Sequence, residues 1–131
     1  MKRNRLSVLA ACAVVLGLMG GAAWAAEEKA HVEIPFDFTV LSGTLKAGAY
    51  VVVTDGPKDN RVVLRSAATG RVIPLTVTTR LADLGGKDPL LVFDTVGSSR
   101  YLSEIHIPGI DGYALRGSAL EHRHETVPGT K

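Results

Sequence analysis

The stretch His31-Val32-Glu33-Ile34-Pro35-Phe36-Asp37-Phe38-Thr39-Val40 alternates from end to end. Val32, Ile34, Phe36, Phe38 and Val40 fall on one side, and His31, Glu33, Pro35, Asp37 and Thr39 on the other. Period two is the spacing of a strand with one buried and one wet face, because successive side chains of an extended chain point opposite ways. Pro35 has no amide hydrogen to give to a ladder, so this strand is predicted at a sheet edge or at a bulge.

Downstream, Tyr50–Thr54 is a continuous valine run that reads as a buried strand. Arg61–Ala67 and Arg71–Arg80 read as strands joined by a hairpin turn at Ala68-Thr69-Gly70, with Pro74 again favouring an edge. Leu81–Pro89 holds Gly85-Gly86 and Asp88-Pro89 and reads as a loop. Leu90–Val96 is strongly apolar around Phe93, and Gly97-Ser98-Ser99 turns the chain into Arg100–Ile107. In that strand Tyr101, Ser103, Ile105 and Ile107 are expected to share a face. Tyr113–Arg116 is a last short strand, and Ser118-Ala119-Leu120-Glu121 has capping-box spacing, which predicts one or two helical turns over Ala119–Glu125. About seven strands at 8–12-residue spacing, with no helix of 10–15 residues between them, predict an all-β fold. The expectation is a single antiparallel β-sandwich or small barrel, with an N-terminal signal helix and a short C-terminal helical turn. The corresponding segments are 1–26, 27–118 and 119–131.

Residues 1–26 have the order of a secretory signal: basic Lys2, Arg3 and Arg5, an apolar run from Leu6 to Met19, Gly20-Gly21, then Ala23-Trp24-Ala25. Cleavage is expected after Ala25 or Ala26, with export by a Sec-type route to the periplasm or beyond. Two alternatives stand beside it: Leu6–Ala26 retained as a membrane anchor, or lipidation at Cys12 after Leu9-Ala10-Ala11.

Removing this segment changes the charge. The whole chain has 15 basic and 13 acidic residues, but three basic ones lie in 1–26, so the remainder carries 12 against 13, net −1. The only Cys, the only Trp and both Met also lie in 1–26. A mature chain of this kind excludes a thiol nucleophile, Cys-ligated zinc, an iron–sulfur cluster and c-type haem. It must be held by its core alone.

Ile34-Pro35-Phe36-Asp37-Phe38-Thr39-Val40 followed by Thr44-Leu45-Lys46-Ala47-Gly48-Ala49-Tyr50-Val51-Val52 resembles a group of short secreted bacterial proteins common in soil Acidobacteria. In that group an Ile-Pro-Phe-x-Phe strand precedes a Leu-Pro-Ala-Gly-x-Tyr turn. Leu91-Val92-Phe93 with Gly97, Tyr101-Leu102-Ser103-Glu104-Ile105, and Gly117-Ser118 with Glu121 extend the likeness over most of the chain after residue 26. Lys46 stands where the group has proline. The resemblance implies a small secreted all-β domain and supplies no catalytic residue. Phe36, Phe38, Gly48, Tyr50, Phe93 and Tyr101 are accordingly expected to be structural. Gly48 permits a tight backbone path, and Tyr50 either turns its hydroxyl back to the upstream backbone, as in a tyrosine corner, or packs at a core rim.

His122 and His124 are the only local histidine pair. On a strand they would share a face and could ligate Zn²⁺ or Cu²⁺; on a helical turn they would diverge by about 200°. A third ligand from His31, His106 or Glu125 would be required. Asp55, Asp59 and Asn60 could hold Ca²⁺, but turn chemistry explains them as well. No Gly-x-Ser-x-Gly elbow is present, and no enzymatic activity is expected. Arg61, Arg65, Arg71, Arg80 and Arg100 could form a basic stripe, yet the net charge and six aromatics after residue 26 do not favour nucleic acid.

These readings point to a non-catalytic binding or interaction module without a cofactor. Its partner would be a protein or glycan of the envelope, and it would touch the membrane only through the uncleaved signal. The alternatives are a structural envelope component assembling through strand edges, and a small metal-binding protein using the C-terminal histidines.

Overall fold

The computed structural model describes residues 27–56, 60–116 and 122–131. Residues 1–26, where the signal helix and Cys12 were expected, Asp59 and the capping box at Ser118–Glu121 lie outside them. Eleven strands and no helix are found among the described residues.

One sheet has four antiparallel strands in the order β1 (Glu27–Ile34), β4 (Gly48–Thr54), β5 (Val62–Ser66) and β6 (Val72–Leu75). The other runs β11 (Arg123–Pro128), β8 (Leu90–Val96), β9 (Ser99–His106), β10 (Gly112–Leu115), β7 (Val77–Leu81). The hairpin of β2 (Phe38–Val40) and β3 (Gly43–Leu45) joins this second sheet by a parallel pairing of Thr39 with Tyr101. The inner faces share one core, and the sheets do not close into a barrel. Ala30, Val32, Tyr50, Val52, Leu64 and Ile73 from the first meet Phe38, Leu91, Phe93, Leu102, Ile105, Tyr113 and Val127 from the second.

The alternation of residues 31–40 holds for burial, but not as one strand. Val32, Ile34, Phe38 and Val40 are buried, yet the chain breaks at Pro35 and passes from the first sheet to the second. Both halves can keep their apolar side chains in one core because the sheets face each other. The stretch Arg71–Arg80 divides in the same way at Thr76, with β6, which carries Pro74, at the edge of the four-stranded sheet. In β9 the register shifts between Val92 and Phe93, leaving Ser103 as the extra residue, its Oγ–H donating to the Val92 carbonyl at 3.0 Å. Leu102 and Ile105 therefore point inward, while Tyr101 and Glu104 lie on the outer face, which corrects the expected Tyr101–Ser103–Ile105 face.

The helical turn expected over Ala119–Glu125 is also corrected. From Arg123 the chain is extended, and β11 pairs residue by residue with β8 from Arg123↔Thr95 to Pro128↔Leu90. A capping box supports only the start of a helix, and so short a helix is marginal by itself. Six ladder pairs and burial of Val127 outweigh it.

Beyond β11, Thr130 exchanges two backbone hydrogen bonds with His31, at 2.7 and 2.9 Å, tying the end of the second sheet to β1. Gly129 makes this clasp possible. A Cβ there would stand 2.9 Å from Val32 Cγ2, 3.1 Å from the His31 carbonyl oxygen and 3.4 Å from Pro89 Cβ. Gly129→Ala is expected to destabilise the fold by about 1–3 kcal/mol, the usual cost of overpacking. Denaturant unfolding at unchanged slope would check it.

Tyr50 is the corner residue. Its hydroxyl donates to the Lys46 carbonyl at 2.6 Å, and its ring meets Phe38 edge to face at 5.3 Å. Gly48, at φ +152°, gives the backbone path between them. Removing the hydroxyl in Tyr50→Phe is expected to cost about 1 kcal/mol. Burial first, and the Asp37 carboxylate second, raise the Tyr50 phenol above its ordinary value. The folded chain therefore holds that proton more tightly than the unfolded one. This contribution is complete below a pH of about 10 and is lost as pH rises through the folded value. Stability curves of wild type and Tyr50→Phe should converge on the alkaline side.

The outer face of the four-stranded sheet is also packed. Val51, Val53 and Val63 form a small second cluster. The Arg65–Glu28 ion pair reaches from β5 to β1 across the intervening β4, above these valines. Arg80 lies over the Tyr113 ring at 4.1 Å, and Arg100 over the Phe36 ring at 4.2 Å. Arg61 approaches Asp55 at 3.9 Å. Four of the five arginines read as a stripe are thus held at separate places.

Candidate metal centre

Strand β8 is apolar except near its end, where Asp94 follows Phe93. The alternation that buries Phe93 in the core turns Asp94 to the outer face. Its ladder neighbours are His124 on β11 and Tyr101 on β9. Directly opposite residues in a ladder have Cβ atoms about 4.5–5.5 Å apart, so their side chains meet. His122, just before β11, lies two residues from His124, and both imidazoles come to Asp94.

Asp94 Oδ1 is 3.4 Å from His122 Nε2 and 3.2 Å from His124 Nδ1. The two rings stand edge to face with centroids 5.0 Å apart. One ligand atom from each residue falls within a 4.8 Å group. The Asp94 side chain is 6 % exposed, against 27 % for His122 and 59 % for His124, so a buried carboxylate sits beneath two accessible imidazoles. A buried carboxylate is expensive unless positive charge or hydrogen bonds compensate it. Two imidazoles can do so by donating N–H groups to it, or by sharing a cation with it.

The spacing suits a cation. Two donors about 2.1 Å from a tetrahedral ion lie about 3.4 Å apart, which matches both Asp–His distances. Two imidazoles and one carboxylate form a borderline nitrogen and oxygen set that favours Cu²⁺, Zn²⁺ or Ni²⁺ over Ca²⁺ or Mg²⁺. Beside the histidines, a surface depression of about 440 Å³ is lined by Thr95, Val96, Gly97, His122 and Arg123.

The three residues named from sequence as third ligand are elsewhere. Glu125 lies on the opposite face of β11 from His124 and accepts from Arg100 Nε at 2.7 Å. His106 pairs with Glu104 at 2.9 Å and stands opposite Leu90, four residues and about 13 Å along β8 from Asp94. His31 is on β1 in the other sheet, 3.7 Å from Glu28. The sequence signal for Asp94 was a single acid in an otherwise apolar strand, Leu90 to Val96.

Four of the expected structural residues, Phe93, Phe36, Phe38 and Tyr50, form an aromatic chain behind the site. Phe93 meets Phe36 at 5.0 Å and Phe38 at 5.5 Å, and Phe38 continues to Tyr50. Gly48 stands at the corner, and Tyr101 flanks Asp94 in the ladder. Asp55 of the suggested Ca²⁺ loop faces Arg61. Comparison with protein-family models, curated proteins and solved structures returned no match, so the site must be understood from its own geometry.

Proposed function

We propose that this chain is exported and binds a divalent transition-metal ion through Asp94, His122 and His124. Export is supported by the order of residues 1–26. The metal reading is carried by one observation: a buried carboxylate oxygen approached by two imidazole nitrogens at 3.4 and 3.2 Å. Its donors come from a rigid antiparallel pair, which holds two of the three ligands in register without a ligand present.

The mature chain would lack thioether and thiolate, since Met1, Cys12 and Met19 all lie in the signal. The donor set therefore suits Cu²⁺ and Zn²⁺, with Cu²⁺ tighter by the usual order of divalent affinities. This makes the chain a binding module whose ligand is an ion, in place of the protein or glycan partner first expected.

Calorimetric titration of tag-free protein with Zn²⁺ or Cu²⁺ should give one ion per chain. Acidification should release it, because protons compete for the imidazoles. An absence of binding at neutral pH would overturn the proposal.

A further inference from the structure

We infer that the cavity beside the Tyr50 corner, at the end of the first sheet's inner face, binds a small organic monocarboxylate, with Arg71 holding its charged end. Ladder partners lie side by side on one face of a sheet. Val52, Leu64 and Ile73 are partners across β4, β5 and β6, and all three are buried in the core. The next row on that face, two residues along each strand, is Tyr50, Ser66 and Arg71. Tyr50 pairs with Ser66, and the Ser66 N–H donates to the Arg71 carbonyl at 2.9 Å. A face that is apolar one row earlier thus ends in a serine and an exposed arginine. This row borders a cavity of about 270 Å³ that is also lined by residues 44–49. Leu45 and Ile73, both buried, give it an apolar wall, and Thr44, Thr69 and Arg71 give it a polar rim.

Charge selects the ligand. The Arg71 guanidinium makes no ion pair among the described residues. Lys46, the other cation of the lining, faces Asp37 at 3.6 Å, and Asp37 also accepts the Ala47 N–H at 2.9 Å. Burial and the Asp37 carboxylate raise the Tyr50 phenol, while Arg71 lowers it, so both charges are felt beside that ring. One uncommitted cation near a carboxylate favours a singly charged head over a phosphate dianion. The apolar wall favours a carbon body behind it. A planar guanidinium fork matches the edge of a carboxylate. Sites for drug-sized ligands run to about 300–1,000 Å³, so this cavity suits a smaller molecule. The site shares no residue with the Asp94 cluster and stands independently of the metal reading.

The test uses the full tag-free chain, stripped of metal with a chelator and labelled with ¹⁵N. Benzoate is titrated in while backbone amide shifts are followed, with neutral benzamide and inorganic phosphate as comparison probes. The expected result is a saturable shift of amides in residues 44–50 and 66–71, given by benzoate and not by benzamide. In Arg71→Gln, benzoate should bind about 10-fold more weakly, the loss of one charge-assisted contact. In Asp37→Asn it should bind more tightly, because a nearby negative charge is gone. The amides of both variants outside these segments should keep their wild-type shifts, which shows that each is folded. No saturable shift at tens of millimolar benzoate would overturn the inference. Shifts centred on other residues, or equal benzoate affinity in Arg71→Gln, would overturn it as well. Phosphate binding here more tightly than benzoate would overturn the monocarboxylate assignment.

Discussion

Asp94→Asn is expected to weaken metal binding by at least about 100-fold while the protein still folds. Losing an outer partner of a metal ligand already costs 10–100-fold, and Asp94 is a direct ligand candidate and the only anionic one in the cluster. Asn keeps the shape but offers a neutral oxygen. In wild type, a free ion concentration 100 times Kd stabilises the folded state by about 2.7 kcal/mol. For a domain of this size that corresponds to a rise in Tm on the order of 10 °C. Thermal melts with and without Zn²⁺ check it: the rise should be present in wild type and absent in Asp94→Asn. The melting point without metal should move little or rise, because the substitution removes a buried charge whose desolvation the fold must offset. A metal-induced rise of wild-type size in Asp94→Asn would remove Asp94 from the site.

Phe93→Ala carries the largest expected stability cost, about 3–5 kcal/mol. The side chain is fully buried, and its ring joins Phe36 and Phe38 in edge-to-face contacts at 5.0 and 5.5 Å. No disulfide can hold the fold, since the one cysteine is Cys12. Natural domains are stable by only about 5–15 kcal/mol, so this substitution removes a large share of the total. Urea unfolding, with Phe93→Leu as a milder control, measures it. Phe93 precedes Asp94, so loosening the core here should also broaden the ligand geometry. Metal affinity in Phe93→Leu should fall less than in Asp94→Asn. A cost for Phe93→Ala below 1 kcal/mol would mean that the aromatic cluster does not anchor the second sheet.

The all-β class and most strand positions were legible from local chemistry. Alternation in residues 31–40 identified which side chains are buried, the valine run located β4, and Pro74 marked an edge. The Leu45–Tyr50 segment allowed the corner hydrogen bond that Tyr50 makes. What alternation does not encode is the sheet to which a strand belongs. Both halves of 31–40 bury the same kind of side chain, so the switch at Pro35 leaves no mark on hydrophobic pattern beyond the proline itself. The bulge at Ser103 likewise shifts the inward set by one residue, and a small polar residue within a strand does not announce it.

The candidate site was half legible. His122 and His124 were visible as a pair, and period two would bring them together on a strand. The local capping-box signal argued for a helical turn, which would have separated them. The pairing of β11 with β8 decides the matter, and it connects residues about 30 positions apart, beyond the reach of any local rule. The same register supplies Asp94. The expected third ligands were chosen by residue type, while the actual neighbour was set by the ladder. A lone carboxylate in an apolar strand was the available clue, since such a charge must find compensation across the sheet.

The most direct measurement is anomalous diffraction at the zinc edge from crystals of the Zn²⁺-bound protein. The account predicts one strong peak within about 2.3 Å of Asp94 Oδ1, His122 Nε2 and His124 Nδ1 together. A peak at any other cluster, or none there while Asp94 still touches both imidazoles directly, would contradict it.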